Sequence, residues 1–178
     1  MKGRTLGPIQ LDRAVGAVVA SATGDALGSA YEFGPALSDS TVPAFRTGVF
    51  GHAPGEWTDD TSMAMPILLA LSRGDSLLNT DVLPGIVARW IEWSTDAKDV
   101  GAQTRSVLNA IGAEPSEAAA RRAAQAVHQR SGRSGGNGSL MRTGPVALGV
   151  LGGSAEAALA EAAGRIAQLT HYEQANVD

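Results

Sequence analysis

The sequence contains no cysteine, which removes disulfides, thiolate metal sites and cysteine nucleophiles from the possible chemistries. Aromatic residues make up only 4% of the chain, so a core has to be built mainly from Ala, Val, Leu, Ile and Met. Lys and Arg form no basic stripe and the formal net charge is −4, so nucleic-acid binding through phosphate neutralisation is disfavoured. No apolar run approaches the length of a membrane span, and Met1 to Gln10 lacks a signal-peptide core. A soluble, cytoplasmic chain with no membrane or nucleic-acid partner is therefore expected. What is present is the composition of a folded domain. With 178 residues, 44% hydrophobic and 18% charged, residues 1–178 read as a single domain with its own core.

Apolar residues recur at helical spacing with few β-branched or aromatic clusters, which points to an all-α chain. Leu11 to Leu27 reads as a helix started near Asp12, with Ala14, Val15, Val18, Val19 and Ala22 on one face. Tyr31 to Glu56 is rich in Pro, Gly and Ser and reads as a long loop, a feature that in compact domains is usually functional or disordered. Further helices are expected over Thr61 to Ser72, Asp81 to Trp93, Gly101 to Ile111 and Ser116 to Gln129, with Ser116 as cap. Within the second, Pro66 is tolerated only near the first turn. Ser131 to Ser139 is too glycine-rich for regular helix, and Ser154 opens a last helix ending near Thr170.

Four segments carry chemistry. Thr58-Asp59-Asp60-Thr61 sets two adjacent carboxylates and two hydroxyls at one helix start. Hard oxygen donors of this kind suit Mg²⁺, Mn²⁺ or Ca²⁺, while a plain helix cap is the competing reading. Gly24-Asp25-Ala26-Leu27-Gly28, followed by Tyr31-Glu32, either ends a helix with Asp25 as a local cap or hangs Glu32 over the carboxylate pair as an acid or base. Gly135-Gly136-Asn137-Gly138-Ser139-Leu140-Met141-Arg142 is either a glycine linker or a turn whose N–H groups cradle a phosphate or diphosphate. Leu169-Thr170-His171 closes the last helix, where a lone histidine is either a helix-end residue or a ligand contact.

Taken in order, these segments and Asp99-Val100-Gly101 resemble the ADP-ribosylglycohydrolase family across nearly the whole chain. The resemblance implies an all-α orthogonal helical bundle holding two Mg²⁺ ions, or Mn²⁺, below an ADP-ribose cleft. It implies Thr58, Asp59 and Asp60 as metal ligands, Glu32 and Asp60 as the catalytic carboxylates, and Asp99, Gly101, Asn137, Gly138, Ser139 and His171 as substrate contacts. His52 and His128 match nothing assignable. The family's second metal-binding segment, Asp-x-Asp-Thr, is absent from the sequence, so the chain reads as the N-terminal portion of such a domain, truncated at the C-terminus. Helix faces near Thr61 to Leu71 and Val82 to Ile91 are then expected to lack partners.

The implied reaction is hydrolysis of the glycosidic bond at the ribose of an ADP-ribosylated protein, with arginine the first candidate for the modified residue. Two other readings stand beside it: a hydrolase of a small ADP-ribose derivative, and a non-catalytic ADP-ribose-binding half-domain.

Overall fold

The computed structural model of the chain describes residues 6–151 and 156–176. Among these the chain is all-α, with seven α-helices, two 3₁₀ segments and no strand. No helix of the described residues is long and apolar enough to cross a membrane. The helices are α1 (Pro8–Gly28), α2 (Asp59–Ser72), α3 (Leu83–Asp96), α4 (Ala102–Ala110), α5 (Glu117–Ser131), α6 (Asn137–Leu140) and α7 (Glu156–Gln168).

Local chemistry explains most of the boundaries. α1 starts at Pro8, one turn earlier than the Asp12 signal implied. Proline at the first helical position has its φ preset and needs no partner for the N–H it lacks, and the Gly7 N–H donates to Gln10 Oε1 at 3.1 Å. Ser116 caps α5 as expected, accepting the Ala119 N–H at 3.1 Å. The same helix ends on Gly132 at φ 71°, the left-handed position where glycine carries no Cβ penalty. Residues 137–140, expected to be irregular, form the single turn α6 directly after Gly136. Ser154 lies outside the described residues.

Pro66 departs from expectation. It lies well inside α2 and is buried, where it cannot donate to the carbonyl one turn back. Tertiary contact supports this stretch instead, because the buried Trp90 indole N–H donates to Met63 O at 2.9 Å.

The core joins α2, α3, α4, α5 and α7 around Met63, Ile67, Leu83, Val87, Trp90, Val107, Ala120 and Ile166, each completely buried. The α2 and α3 faces expected to lack partners are therefore covered. Apolar surface stays open on α1, where Ile9, Leu11, Val15 and Val19 are all more than half exposed, and also at Phe33, Val42 and Leu140. α1 rests on the rest through the i, i+4 row Ala14, Val18, Ala22 and Ala26, so Val15 and Val19 do not share its inward face. The consequence for the site is geometric: α1 delivers its C-terminal end, not its middle, to the start of α2.

Candidate active site

The start of α2 is held by a side chain from another helix. Asp25, near the end of α1, accepts the Thr58 N–H at 3.0 Å and the Thr61 N–H at 3.0 Å through its two carboxylate oxygens. The hydroxyls of Thr58 and Thr61 donate to the same oxygens at 2.6 Å each. Thr58 occupies the cap position of α2 but does not cap it with its own side chain; Asp25 performs that task from a distance of 33 residues in sequence. Asp25 is thus not a local cap for α1. Orphan N–H groups at a helix start need an acceptor, and once Asp25 supplies it, Asp59 and Asp60 are not needed for the purpose. That weakens the plain-cap reading of the pair. Trp57, immediately before, is about half exposed.

The structure brings four carboxylates besides Asp25 into one electrostatic neighbourhood. Asp59 is half-buried and its carboxyl is held above the usual range, first by desolvation and then by Asp99, against a hydrogen bond from the Gly101 backbone. Asp60 is pushed up to about 7 by desolvation, then by Asp25, Asp59 and Glu32. Glu32 is raised by desolvation and by Asp99, Asp59 and Asp25. Asp99 is raised by desolvation, opposed by His52 and Arg105. Like charges brought together favour the protonated forms, and among the described residues no lysine or arginine forms a salt bridge to this group.

Glu32 reaches the cluster from the turn after α1. Phe33, next to it, has φ 59°, a left-handed conformation uncommon for a bulky residue. Its ring meets Phe50 edge-on at 5.9 Å. His52, which the sequence left unassigned, is buried and lies close enough to lower both Glu32 and Asp99. Its segment is fastened by Gly48 N–H to His52 O at 2.8 Å, and by Lys98, which pairs with Glu56 at 2.7 Å and donates to Gly51 O at 3.3 Å.

The glycine-rich loop is joined to the cluster by the start of α4. Gly101 bonds Asp59 through its backbone, and Thr104, one turn on, packs beneath Gly138: a Cβ at Gly138 would stand 3.4 Å from Thr104 Oγ1 and 3.1 Å from His171 Cε1. Gly138 is therefore small because of what lies under it. His171 is buried there, its Nδ1 2.8 Å from the Thr170 hydroxyl. Burial, then the nearby Arg142, lower its pKa to about 4, so the ring is neutral near pH 7.

Arg142 closes the same segment and points inward. It is fully buried, its guanidinium bonds the carbonyls of Gly138 and Ile166 and the Thr170 hydroxyl, and it lies 4.5 Å over the Trp90 ring. Desolvation lowers its pKa to about 9, still charged at neutral pH. The sequence offered no cue for this inward role beyond its place after the apolar pair Leu140-Met141. Glu173 was also missed: one of its carboxylate oxygens accepts the N–H groups of Ser134, at 2.6 Å, and Gly135, at 2.5 Å. Those two amides are thereby withdrawn from the set expected to cradle a diphosphate.

A separate groove of about 530 Å³, lined by Arg121, Gln125, His128 and Tyr172 among others, lies along α5 and the segment after α7. None of the carboxylates of the cluster lines it.

A family model for ADP-ribosylglycohydrolase matches residues 7–178. The chain belongs to the ADP-ribosylglycohydrolase family. It is 34% identical over 151 residues to the ADP-ribosylarginine hydrolase Tri1 of Pseudomonas putida (strain GB-1), covering 81% of this chain and 38% of that protein. It is 36% identical over 106 residues to the ADP-ribosylarginine hydrolase Tri1 of Serratia proteamaculans (strain 568), covering 55% of this chain and 28% of that one. A solved ADP-ribosylglycohydrolase-related protein complex contains a chain of similar fold, with a TM-score of 0.60 and 28% identity over 93% of this chain. This member of the family spans about half of that structure and less of the two curated relatives.

Proposed function

We propose that the chain carries the nucleotide-holding and proton-transfer face of a hydrolase that cleaves the bond joining ADP-ribose to arginine on a modified protein. The observation that carries this reading is the convergence of Glu32, Asp59, Asp60 and Asp99 beside the loop from Gly135 to Ser139, with α4 joining the two. Membership of the family and likeness to two ADP-ribosylarginine hydrolases support it.

The donor set fits a hard divalent cation. Thr58 offers a hydroxyl whose proton is already committed to Asp25, which leaves its lone pairs free, and Asp59 and Asp60, whose carboxyls are held up by desolvation and by neighbouring carboxylates, would ionise more readily beside a cation. Among the described residues no three of His, Cys, Asp and Glu are grouped as a complete ligand set, so Thr58, Asp59 and Asp60 would hold one side of Mg²⁺ or Mn²⁺ ions. Such an ion polarises oxygen ligands and lowers the pKa of bound water. The chain's own residues do the rest. Glu32, with its carboxyl raised, keeps a proton at higher pH than an ordinary glutamate and suits transfer at the scissile bond. Asp99 and the Gly101 backbone would orient ribose hydroxyls, and the loop over the neutral His171 would hold the diphosphate by backbone donors rather than by Lys or Arg.

A second reading, binding of ADP-ribose without hydrolysis, is favoured by the incomplete ligand grouping. One experiment separates them: release of free ADP-ribose from an ADP-ribosylarginine peptide in the presence of Mg²⁺, run beside calorimetry with ADP-ribose. Turnover supports hydrolysis, and Glu32→Gln should then lower it at least about tenfold with ADP-ribose affinity nearly unchanged. Binding without turnover establishes the second reading. Neither binding nor turnover removes both.

A further inference from the structure

Most contacts that shape the glycine-rich loop come from one short segment. The residues after α7 return past the loop and meet it through three side chains. Glu173 takes the N–H groups of Ser134 and Gly135 on a single carboxylate oxygen, at 2.6 and 2.5 Å. The Asn176 amide donates to Gly136 O at 2.9 Å and to the Ser139 hydroxyl at 2.5 Å. His171 lies under Gly136 and Gly138, where an added Cβ would approach its ring to 3.5 and 3.1 Å. The Gln103 side-chain amide then ties the two strands together, donating to Ser134 O at 2.7 Å and Thr170 O at 3.1 Å.

These contacts differ in what they can do. His171 and Gln103 fix where the loop sits. Glu173 fixes its curvature, because two successive N–H groups can point at one oxygen only when the backbone curls around it. A carboxylate accepting two amides makes charge-assisted bonds, stronger than the neutral contacts beside it. The absence of a side chain at Gly135 eases this approach: a Cβ there would stand 3.2 Å from Glu173 Oε2, close enough that the carboxylate would have to shift.

We infer that Glu173 is the positioning residue of the glycine-rich loop, an anion supplied by the chain itself that curls Ser134 and Gly135 so that Asn137 to Ser139 are presented to the ligand in one fixed geometry. It touches no reacting atom in this account. Its contribution is preorganisation, which lowers the ordering cost of binding. The competing possibility for the same contact is a plug: an internal carboxylate sitting where a ligand's own anion belongs. The two predict opposite signs.

This inference rests on the ADP-ribose reading for its ligand but not for its structural content, and the test keeps the two apart. Amide hydrogen exchange is followed residue by residue in the 178-residue chain, for wild type, Glu173→Ala and Glu173→Gln, beside calorimetry with ADP-ribose as the probe. Glu173→Ala should expose the Ser134 and Gly135 amides to fast exchange and raise the ADP-ribose Kd at least about tenfold, as expected when bonds to a charged acceptor are lost. Glu173→Gln keeps an acceptor oxygen and should recover most of the affinity, within about threefold of wild type. A purely structural role would lower stability in both variants without this split in affinity. Tighter binding by Glu173→Ala establishes the plug and overturns the inference, as does unchanged protection of Ser134 and Gly135. If wild type does not bind ADP-ribose at all, the functional reading falls, and the exchange data alone decide whether Glu173 holds the loop.

Discussion

The site has two polar regions, built on opposite electrostatic plans, and they meet at the start of α4. On one side, Glu32, Asp59, Asp60 and Asp99 all have their carboxyl groups held up by desolvation, and in the first three neighbouring carboxylates add to it. On the other, the two charges that shape the loop from Ser134 to Arg142 meet fixed partners: Glu173 two backbone amides, and Arg142 carbonyls, a hydroxyl and the face of Trp90, with only its Nε left unbonded. The first arrangement raises the free energy of the folded chain whenever the carboxyls ionise. The second lowers it through bonds already made. A loop that must present backbone donors to a ligand gains from being finished before the ligand arrives. On the proposed reading, a cluster that holds cations or moves protons gains from carboxylates that, among the described residues, no lysine or arginine pairs with.

The largest effect that tests this contrast is on Arg142. Arg142→Ala strips hydrogen bonds from buried carbonyls and leaves a void against Trp90, so about 3 kcal/mol of stability should be lost, a fall in Tm of about 6–12 °C. A melting point within about 2 °C of wild type would show that the loop does not depend on its buried cation.

Acidification should give the next largest effect. His171 has its pKa lowered from 6.5 to about 4 by burial and by Arg142. A group whose folded pKa is depressed contributes stability above its unfolded pKa and loses it as pH falls through the folded one. Roughly 2–3 kcal/mol should therefore disappear between about pH 6.5 and 4, and His171→Asn should flatten that limb of the denaturation profile. The carboxylate side has the reverse sign. Asp60, raised to about 7, favours the folded chain at low pH, and that contribution fades as pH rises through 7. Denaturant titrations across pH, comparing wild type with His171→Asn, separate the two limbs.

Asp25→Ala comes third. It removes the acceptor of four N–H and O–H donors at the start of α2 but also removes a charge that repels Asp60, so a net loss of about 2 kcal/mol is expected at pH 7. Urea unfolding measures it, and an unchanged midpoint would assign the capping to another group. The smallest effect belongs to the exposed pair Lys98–Glu56: Lys98→Ala should cost about 0.5 kcal/mol or less, an amount that added salt abolishes in wild type.

Much of this was legible in the sequence where the signal is local. The all-α class, the helix cap at Ser116, and the placement of Asp59 and Asp60 at the start of α2 follow from residues within a few positions of one another. The misreadings share a different cause. Asp25 looks like a local cap because its partners lie more than thirty residues away. Pro66 looks like a helix breaker until Trp90 is brought against Met63. Glu173 has no pattern around it at all, since its partners are two backbone amides that become visible only when the chain returns to them. The α1 face was misjudged because a period of 3.6 allows neighbouring rows, and only packing selects the row of Ala14, Val18, Ala22 and Ala26 over the one containing Val15 and Val19.

Trp57 gives the molecule an optical use. Its indole is about half exposed and bonded in sequence to Thr58, whereas Trp90 is sealed under the guanidinium of Arg142. The third tryptophan, Trp93, is only partly buried, so in a Trp93→Phe background the light emitted by Trp57 and Trp90 should differ in colour and in access to a soluble quencher such as iodide, the quenchable red-shifted part coming from Trp57. That part reports on the mouth of the carboxylate cluster, and the shielded part on the interior behind the loop. A titration with Mg²⁺ or ADP-ribose could therefore be read without a label, each region answering in its own band.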